Sequence, residues 1–288
     1  MKLPPFEYRC PESLAEAASI LAANPGAARP LAGGQTLLPM MAFRLAEPAI
    51  LVDLRKVPAL DRISVEGDEV RIGAMVRWRD IEESAALYEA CPILREAMSH
   101  VAHYQIRNCG TVGGSLAHGD PASEMPGLAI LCDARIDVIS CTGTRTIPAG
   151  LFFRSPLTTA LGEDELITSV CFKPWPKTRR WAFEEFALRK GDFALAAIGL
   201  CYDENEAGYI TDARIAVIGA TDIPRRLALA ERTLKGQHIE EETIAAAATA
   251  ASKEVSPPEH FQASIAYRRA LVATLVERGL HHAAGEVP

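Results

Sequence analysis

Two glycine pairs constrain this chain more than any other feature. The first lies in Leu31-Ala32-Gly33-Gly34-Gln35-Thr36-Leu37-Leu38 and the second in Thr111-Val112-Gly113-Gly114-Ser115. Adjacent residues without a Cβ let the backbone turn sharply, approach a neighbour closely and aim N–H groups at an anion. Each pair has hydroxyls beside it, Thr36 in the first stretch, Thr111 and Ser115 in the second. Taken singly, either stretch reads as a tight connection. Taken together, two such loops can grip the two halves of a pyrophosphate, which needs several N–H donors and little steric bulk. Arg107, ahead of Thr111, reads equally as a counter-charge to that anion or as half of a surface ion pair.

Other nucleotide signatures are missing. There is no G-x-G-x-x-G and no G-x-x-x-x-G-K, so an ordinary NAD or ATP loop has no support. The formal net charge is −7 with no basic stripe, which argues against a nucleic-acid partner. No apolar run approaches the ~18 residues of a membrane span. The start lacks the apolar core of a signal peptide. Seven cysteines are scattered without a C-x-x-C pair, so no zinc or iron–sulfur ladder is present and a reducing cytoplasm is expected.

The order of elements predicts an α+β chain. Ser13 caps a predicted helix over 14–21, followed by a strand over 28–31, a helix over 37–45 and a strand over 49–53. A hairpin turns at Glu66-Gly67-Asp68 between strands 60–65 and 69–72. Helices are expected over 78–88, 92–102 and 125–132, and strands over 135–140, 144–147 and 165–172. Lys173-Pro174-Trp175-Pro176-Lys177 breaks any regular element and marks a boundary. Beyond it come strands over 181–188, 194–202 and 213–219, then helices over 227–234, 240–252 and 264–279. The expected division is residues 1–176, with parts of about 1–57 and 58–176, and a second unit over 177–288.

Further polar residues gather near the second pair. Asp120 and Glu124 would repel a phosphate, so they suit hydroxyls or ring N–H groups, as on a ribityl chain. Alternatively Asp120 or Ser123 caps the helix at 125. His100 and His103 have metal-compatible spacing but no third ligand, and no nucleophile–histidine–carboxylate set is present. No catalytic residue and no metal site is therefore assigned. Leu188-Arg189-Lys190-Gly191-Asp192-Phe193-Ala194-Leu195 reads as a solvated turn or as an aromatic cover over a flat ring.

In order and at this length, a set of motifs resembles one family. They are Phe6-x-Tyr8-x-x-Pro11, Ala32-Gly33-Gly34-Gln35-Thr36-Leu37-Leu38-Pro39, Leu51-Val52-Asp53-Leu54, Gln105-Ile106-Arg107-Asn108-x-Gly110-Thr111-Val112-Gly113-Gly114, Gly119-Asp120-Pro121 and Arg189-Lys190-Gly191-Asp192. The chain resembles the FAD-binding medium subunit of molybdenum hydroxylases, the group of carbon monoxide dehydrogenase, quinoline oxidoreductase and xanthine dehydrogenase. The resemblance implies a two-part FAD-binding domain of the vanillyl-alcohol-oxidase type followed by a smaller α+β C-terminal domain. It makes Leu31, Ala32, Gly33, Gly34, Gln35, Thr36 and Leu37, with Thr111, Val112, Gly113, Gly114 and Ser115, the pyrophosphate segments. It adds Ala102, Glu124, Ile167, Lys190, Asp192 and Phe193 to the FAD site. Glu124 stands where the family usually has Asp, and Phe193 where several members have Tyr. The implied role is an electron-transfer subunit passing electrons from partner [2Fe-2S] clusters, through FAD, to an external acceptor. The implied partners are a large subunit with a molybdenum cofactor and a small subunit with two [2Fe-2S] clusters, as a dimer of heterotrimers. A stand-alone flavin-dependent oxidase or dehydrogenase of the same fold is the alternative.

Overall fold

A small parallel β/α unit opens the chain. The computed structural model describes residues 2–285, and its first sheet orders strands Glu7–Arg9, Ile50–Asp53 and Ala28–Leu31 side by side, all parallel. Helix Leu14–Ala23 crosses between the outer two, with Ser13 Oγ accepting the Glu16 N–H at 3.2 Å and Ala17, Ala18 and Leu21 buried beneath it. The strand Glu7–Arg9 carried no periodic sequence signal because all three residues are exposed; backbone pairing to Ile50, Leu51 and Val52 and the Tyr8 hydroxyl, which donates to Asp53 Oδ2 at 2.7 Å, hold it. The helix after the first glycine pair spans Leu37–Ala42, shorter than expected because Phe43 leaves helical geometry and Arg44 adopts a positive φ.

A five-stranded antiparallel sheet follows, in the spatial order Ile63–Glu66, Glu69–Gly73, Leu166–Phe172, Arg135–Ser140 and Gly143–Pro148. Its helices carry the second glycine pair. The single helix expected over 78–88 is two, Trp78–Glu83 and Ala85–Ala90. Ser84 makes the break: its backbone closes the first helix, and its Oγ accepts the Leu87 N–H at 3.2 Å to start the second. The helix expected over 92–102 is only Ile93–Met98. Glu124–Leu131 is buried along its whole length, which explains its continuous apolar sequence.

The third sheet is the meander Arg180–Phe186, Ala196–Glu204, Ile210–Ile218, with a short fourth strand Arg225–Arg226. One face, with Ile198, Leu200, Ile215 and Val217, packs on helices Ala228–Leu234, Glu241–Glu254 and Ile265–Ala284. The other face, with Ala197, Cys201, Ala216 and Ile218, joins the core of the preceding sheet. Contact there is close: a Cβ at Gly127 would collide with the Ile218 side chain. A single apolar core therefore runs across the Pro174–Pro176 crossing, where Trp175 is buried and donates its N–H to the Ala90 carbonyl at 2.7 Å. The α+β class expected from the sequence is the one the chain adopts.

Candidate functional site

The two glycine pairs lie against each other. A Cβ at Gly33 would collide with the carbonyl of Cys109 and crowd the Cα of Gly110, so only glycine lets this segment rest on the chain leading into the second pair. A Cβ at Gly114 would stand 3.8 Å from the Ala32 Cβ, which places Gly114 opposite the first segment. Gly34 holds a φ of 70°, and the Gln35 amide donates back to the Gly33 carbonyl at 3.1 Å. Among the described residues, the N–H groups of Gly33, Gly34, Gln35 and Thr36 find no protein acceptor. A row of such donors in a half-buried turn suits an anion.

The second segment differs from its sequence expectation. Thr111 to Ser115 is not a loop: Thr111 is the N-cap and Val112–His118 is a helix closed by Gly119 in the left-handed region. Its early N–H groups are all engaged. Val112 donates to Val76, Gly113 to the Ala74 carbonyl at 2.8 Å, Gly114 to Thr111 Oγ1 at 3.2 Å and Ser115 to the Thr111 carbonyl. Gly113 has no room for a side chain, because a Cβ would meet Ala74 at 2.6 Å. The first segment thus offers donors, while the second offers a close-packed floor and the half-buried Ser115 hydroxyl. Ile167 connects to this floor indirectly: it is buried at a bulge in Leu166–Phe172, and the next residue, Thr168, accepts the Ala74 N–H at 3.0 Å.

Arg107 takes the ion-pair reading and adds a second task. Its Nε donates to Glu82 Oε2 at 3.1 Å, and Nη1 donates to the carbonyls of Val101 (3.1 Å) and Ala102 (3.3 Å). These bonds fix Ala102 at a φ of 41°, a conformation uncommon for a residue with a Cβ. The turn holding Lys190, Asp192 and Phe193 sits against this corner: a Cβ at Gly191 would meet the Ala102 carbonyl at 2.7 Å and the His103 ring at 2.8 Å. Lys190, Asp192 and Phe193 are exposed, Phe193 by 65%. Ala102 and the 190–193 turn are therefore brought together, but among the described residues no hydrogen bond joins that turn to either glycine pair.

Neither Asp120 nor Ser123 caps the following helix with its side chain. Asp120 Oδ1 instead accepts the Ala122 N–H at 2.9 Å, and Ser123 makes no cap bond. Glu124 begins the helix with 7% of its surface exposed, and burial, with Glu185 nearby, raises its carboxyl to about 8. Glu185 was missed in the sequence. Burial raises it to about 7, and its Oε2 has no hydrogen-bond partner among the described residues. A signal was present: in Trp181-Ala182-Phe183-Glu184-Glu185-Phe186 it shares the strand face of Trp181 and Phe183, an inward face for a charge.

The comparisons with known proteins cover almost the whole chain. Residues 4–175 match the family described as FAD binding domain in molybdopterin dehydrogenase, and residues 181–283 match the CO dehydrogenase flavoprotein C-terminal domain. The chain is 40% identical over 278 residues to the nicotine 6-hydroxylase medium subunit of Paenarthrobacter nicotinovorans, covering 96% of this chain and 97% of that one. It is 34% identical to the carbon monoxide dehydrogenase medium chain of Hydrogenophaga pseudoflava, over 97% of both. Among solved structures, a chain of carbon monoxide dehydrogenase from Hydrogenophaga pseudoflava lacking the Mo-pyranopterin moiety superposes with a TM-score of 0.96 at 35% identity, over 99% of each chain. A chain of quinoline 2-oxidoreductase from Pseudomonas putida 86 superposes with a TM-score of 0.94 at 37% identity, also over 99% of each.

Proposed function

The chain belongs to the FAD-binding medium subunits of molybdenum hydroxylases, and on that premise we propose that it is the electron-transfer subunit of a heteromeric oxidoreductase. It takes electrons from [2Fe-2S] clusters on a small partner and passes them to an external acceptor. A large partner with a molybdenum cofactor carries the substrate site, and the whole is a dimer of heterotrimers in the cytoplasm. All seven cysteines are free thiols, consistent with a reducing compartment.

One observation carries the placement of the cofactor: the unengaged N–H groups of Gly33 to Thr36 lie where the first glycine segment packs on Cys109 and Gly110. Those donors would hold the pyrophosphate, and Gly114 and Ser115 would line the opposite side. Ala102 and the Lys190, Asp192 and Phe193 turn would bound the ring end. Bound FAD supplies the redox chemistry; the protein supplies position, donors and a shaped boundary. The substrate chemistry belongs to the large partner in this reading, and no catalytic residue is assigned to this chain.

Purification from cells that also make the proposed partners tests the reading. Stoichiometric FAD, together with a large and a small subunit, is expected. Flavin absorbance should bleach on adding substrate only when both partners are present. An isolated, monomeric chain that oxidises a substrate by itself would instead establish the stand-alone oxidase or dehydrogenase.

A further inference from the structure

The short helix Tyr104–Arg107 joins the two regions placed at opposite ends of the FAD site. Just beyond its C-terminus, the Cys109 carbonyl and the Gly110 Cα form the surface on which Gly33 rests. Just before its N-terminus, Ala102 and His103 meet the turn of Lys190, Asp192 and Phe193. Along this seam with the C-terminal sheet, a Cβ at Gly191 would stand 2.7 Å from the Ala102 carbonyl. The donors proposed for the pyrophosphate and the corner proposed for the ring are thus separated by about one turn of helix. None of the four residues in that helix is buried, and a helix this short is not stable by itself.

Arg107, its last residue, supplies the missing constraint. The side chain turns back past the start of the helix, where Nη1 donates to the carbonyls of Val101 at 3.1 Å and Ala102 at 3.3 Å. Nε donates to Glu82 Oε2 at 3.1 Å. Glu82 is itself fixed relative to the second glycine segment, because it sits near the end of helix Trp78–Glu83. Trp78, which starts that helix, donates its backbone N–H to the Gly110 carbonyl at 3.3 Å. Its indole Nε1 lies so near that a Cβ at Gly110 would stand 2.7 Å away. The chain of contacts closes on itself: Gly110, Trp78, Glu82, Arg107, Ala102, and back along Tyr104–Arg107 to Gly110. Arg107 is 18% and Glu82 25% exposed, so their bond is partly shielded from water. Nε and Nη1 belong to one rigid fork, which lets a single side chain tie the carboxylate to the two carbonyls. Those donors are committed to the protein itself rather than to an anion. They hold Ala102 at a φ of 41°, which a residue with a Cβ keeps only when its surroundings impose it.

We propose that Arg107 is a positioning residue that sets the spacing between the pyrophosphate end and the ring end of the FAD site. The proposal rests on the FAD reading above. FAD spans both ends and gains from having them pre-set, whereas a ligand that occupies only one end does not. Loss of the guanidinium lets Ala102 relax from its positive φ and shifts the corner against Gly191. The glycine segments keep their own contacts with Cys109, Gly110 and Ala74.

The test uses the complex depleted of flavin, titrated separately with FAD and with ADP by calorimetry. ADP carries a pyrophosphate without the flavin ring. In Arg107→Met, FAD should bind about tenfold more weakly, the scale of re-imposing one strained backbone conformation on binding, while ADP binds as it does to wild type. Arg107→Lys keeps the charge opposite Glu82 without the rigid fork and should show the same split between FAD and ADP. Circular-dichroism melts confirm that the flavin-free variants are folded, and the lysine variant decides the matter if Arg107→Met does not assemble. Equal loss of ADP and FAD overturns the proposal and makes Arg107 a counter-charge to the phosphates. A folded Arg107→Met or Arg107→Lys with wild-type FAD affinity also overturns it, as does failure of both variants to assemble, which would make Arg107 a residue of the fold. Wild-type protein that binds FAD but no ADP lacks the separate pyrophosphate grip and overturns this proposal alone. Wild-type protein that binds neither overturns the parent reading as well.

Discussion

At the scale of single residues, the glycines of the two pairs divide the work. Gly33 permits contact with Cys109, Gly113 permits contact with Ala74, and Gly114 faces Ala32. The identity of these residues was legible because Gly-Gly between hydroxyl-bearing neighbours has few uses. The division of labour was not, because a sequence does not say which N–H groups find internal acceptors. Phe193 was legible as an aromatic that could cover a flat ring, one of two readings of its turn, and its ring is exposed. At the proposed ring end of the cofactor, an exposed ring would set access rather than grip. Phe193→Tyr should therefore shift the flavin potential or the acceptor rate while leaving FAD content unchanged. Potentiometric titration and stopped-flow oxidation measure this, and identical values for both proteins would remove Phe193 from the site.

At the scale of elements, the sequence located most strands and helices but misjudged those held by something other than their own pattern. Glu7–Arg9 is exposed, so backbone pairing and the Tyr8 hydroxyl on Asp53, not a buried face, define it. Val112–His118 begins on Thr111-Val112-Gly113-Gly114, where glycine is an unfavourable helix former; the Thr111 cap and the contact with Ala74 offset that cost. The last helix shows the same dependence on context. Arg268, 3% exposed, donates to the carbonyls of Leu195, Pro258 and Gly219 and, among the described residues, meets no carboxylate. It pins helix Ile265–Ala284 to the strand after Phe193 and to Gly219, whose N–H holds Pro121. Arg268→Met strands those carbonyls, and the expected loss is about 3 kcal/mol in urea unfolding. A midpoint equal to wild type would mean the guanidinium is dispensable.

At the scale of the molecule, one core spans both matched regions, so the Pro174–Pro176 crossing is a boundary in sequence rather than a gap in packing. The composition break at the crossing was easy to read. The shared core was hidden because Ala197, Cys201, Ala216 and Ile218 lie in strands whose two faces are both apolar. The same seam buries Glu124 and Glu185, held at about 8 and about 7. Both are raised above their unfolded values, so their contribution to stability is complete at low pH and is lost as pH rises through those values. Flavin-depleted protein should accordingly lose stability on the order of a few kcal/mol between about pH 5 and about pH 9 from these groups. Unfolding midpoints across that range measure it, and Glu124→Gln should flatten the slope. A wild-type midpoint that rises toward alkaline pH would contradict the burial of these carboxyls.

The most direct test of the central claim, that this chain holds FAD between its two glycine segments, is the FAD content of purified wild type and Gly114→Val. A valine at this position would crowd Thr111 Oγ1, 2.9 Å from the Cβ, and fill the space toward Ala32. Loss of the cap bond costs only about 1 kcal/mol, so the chain should still fold and assemble. Stoichiometric FAD in wild type and none in a folded Gly114→Val is the predicted result. Wild-type protein without FAD, or a variant that retains it in full, would contradict the account.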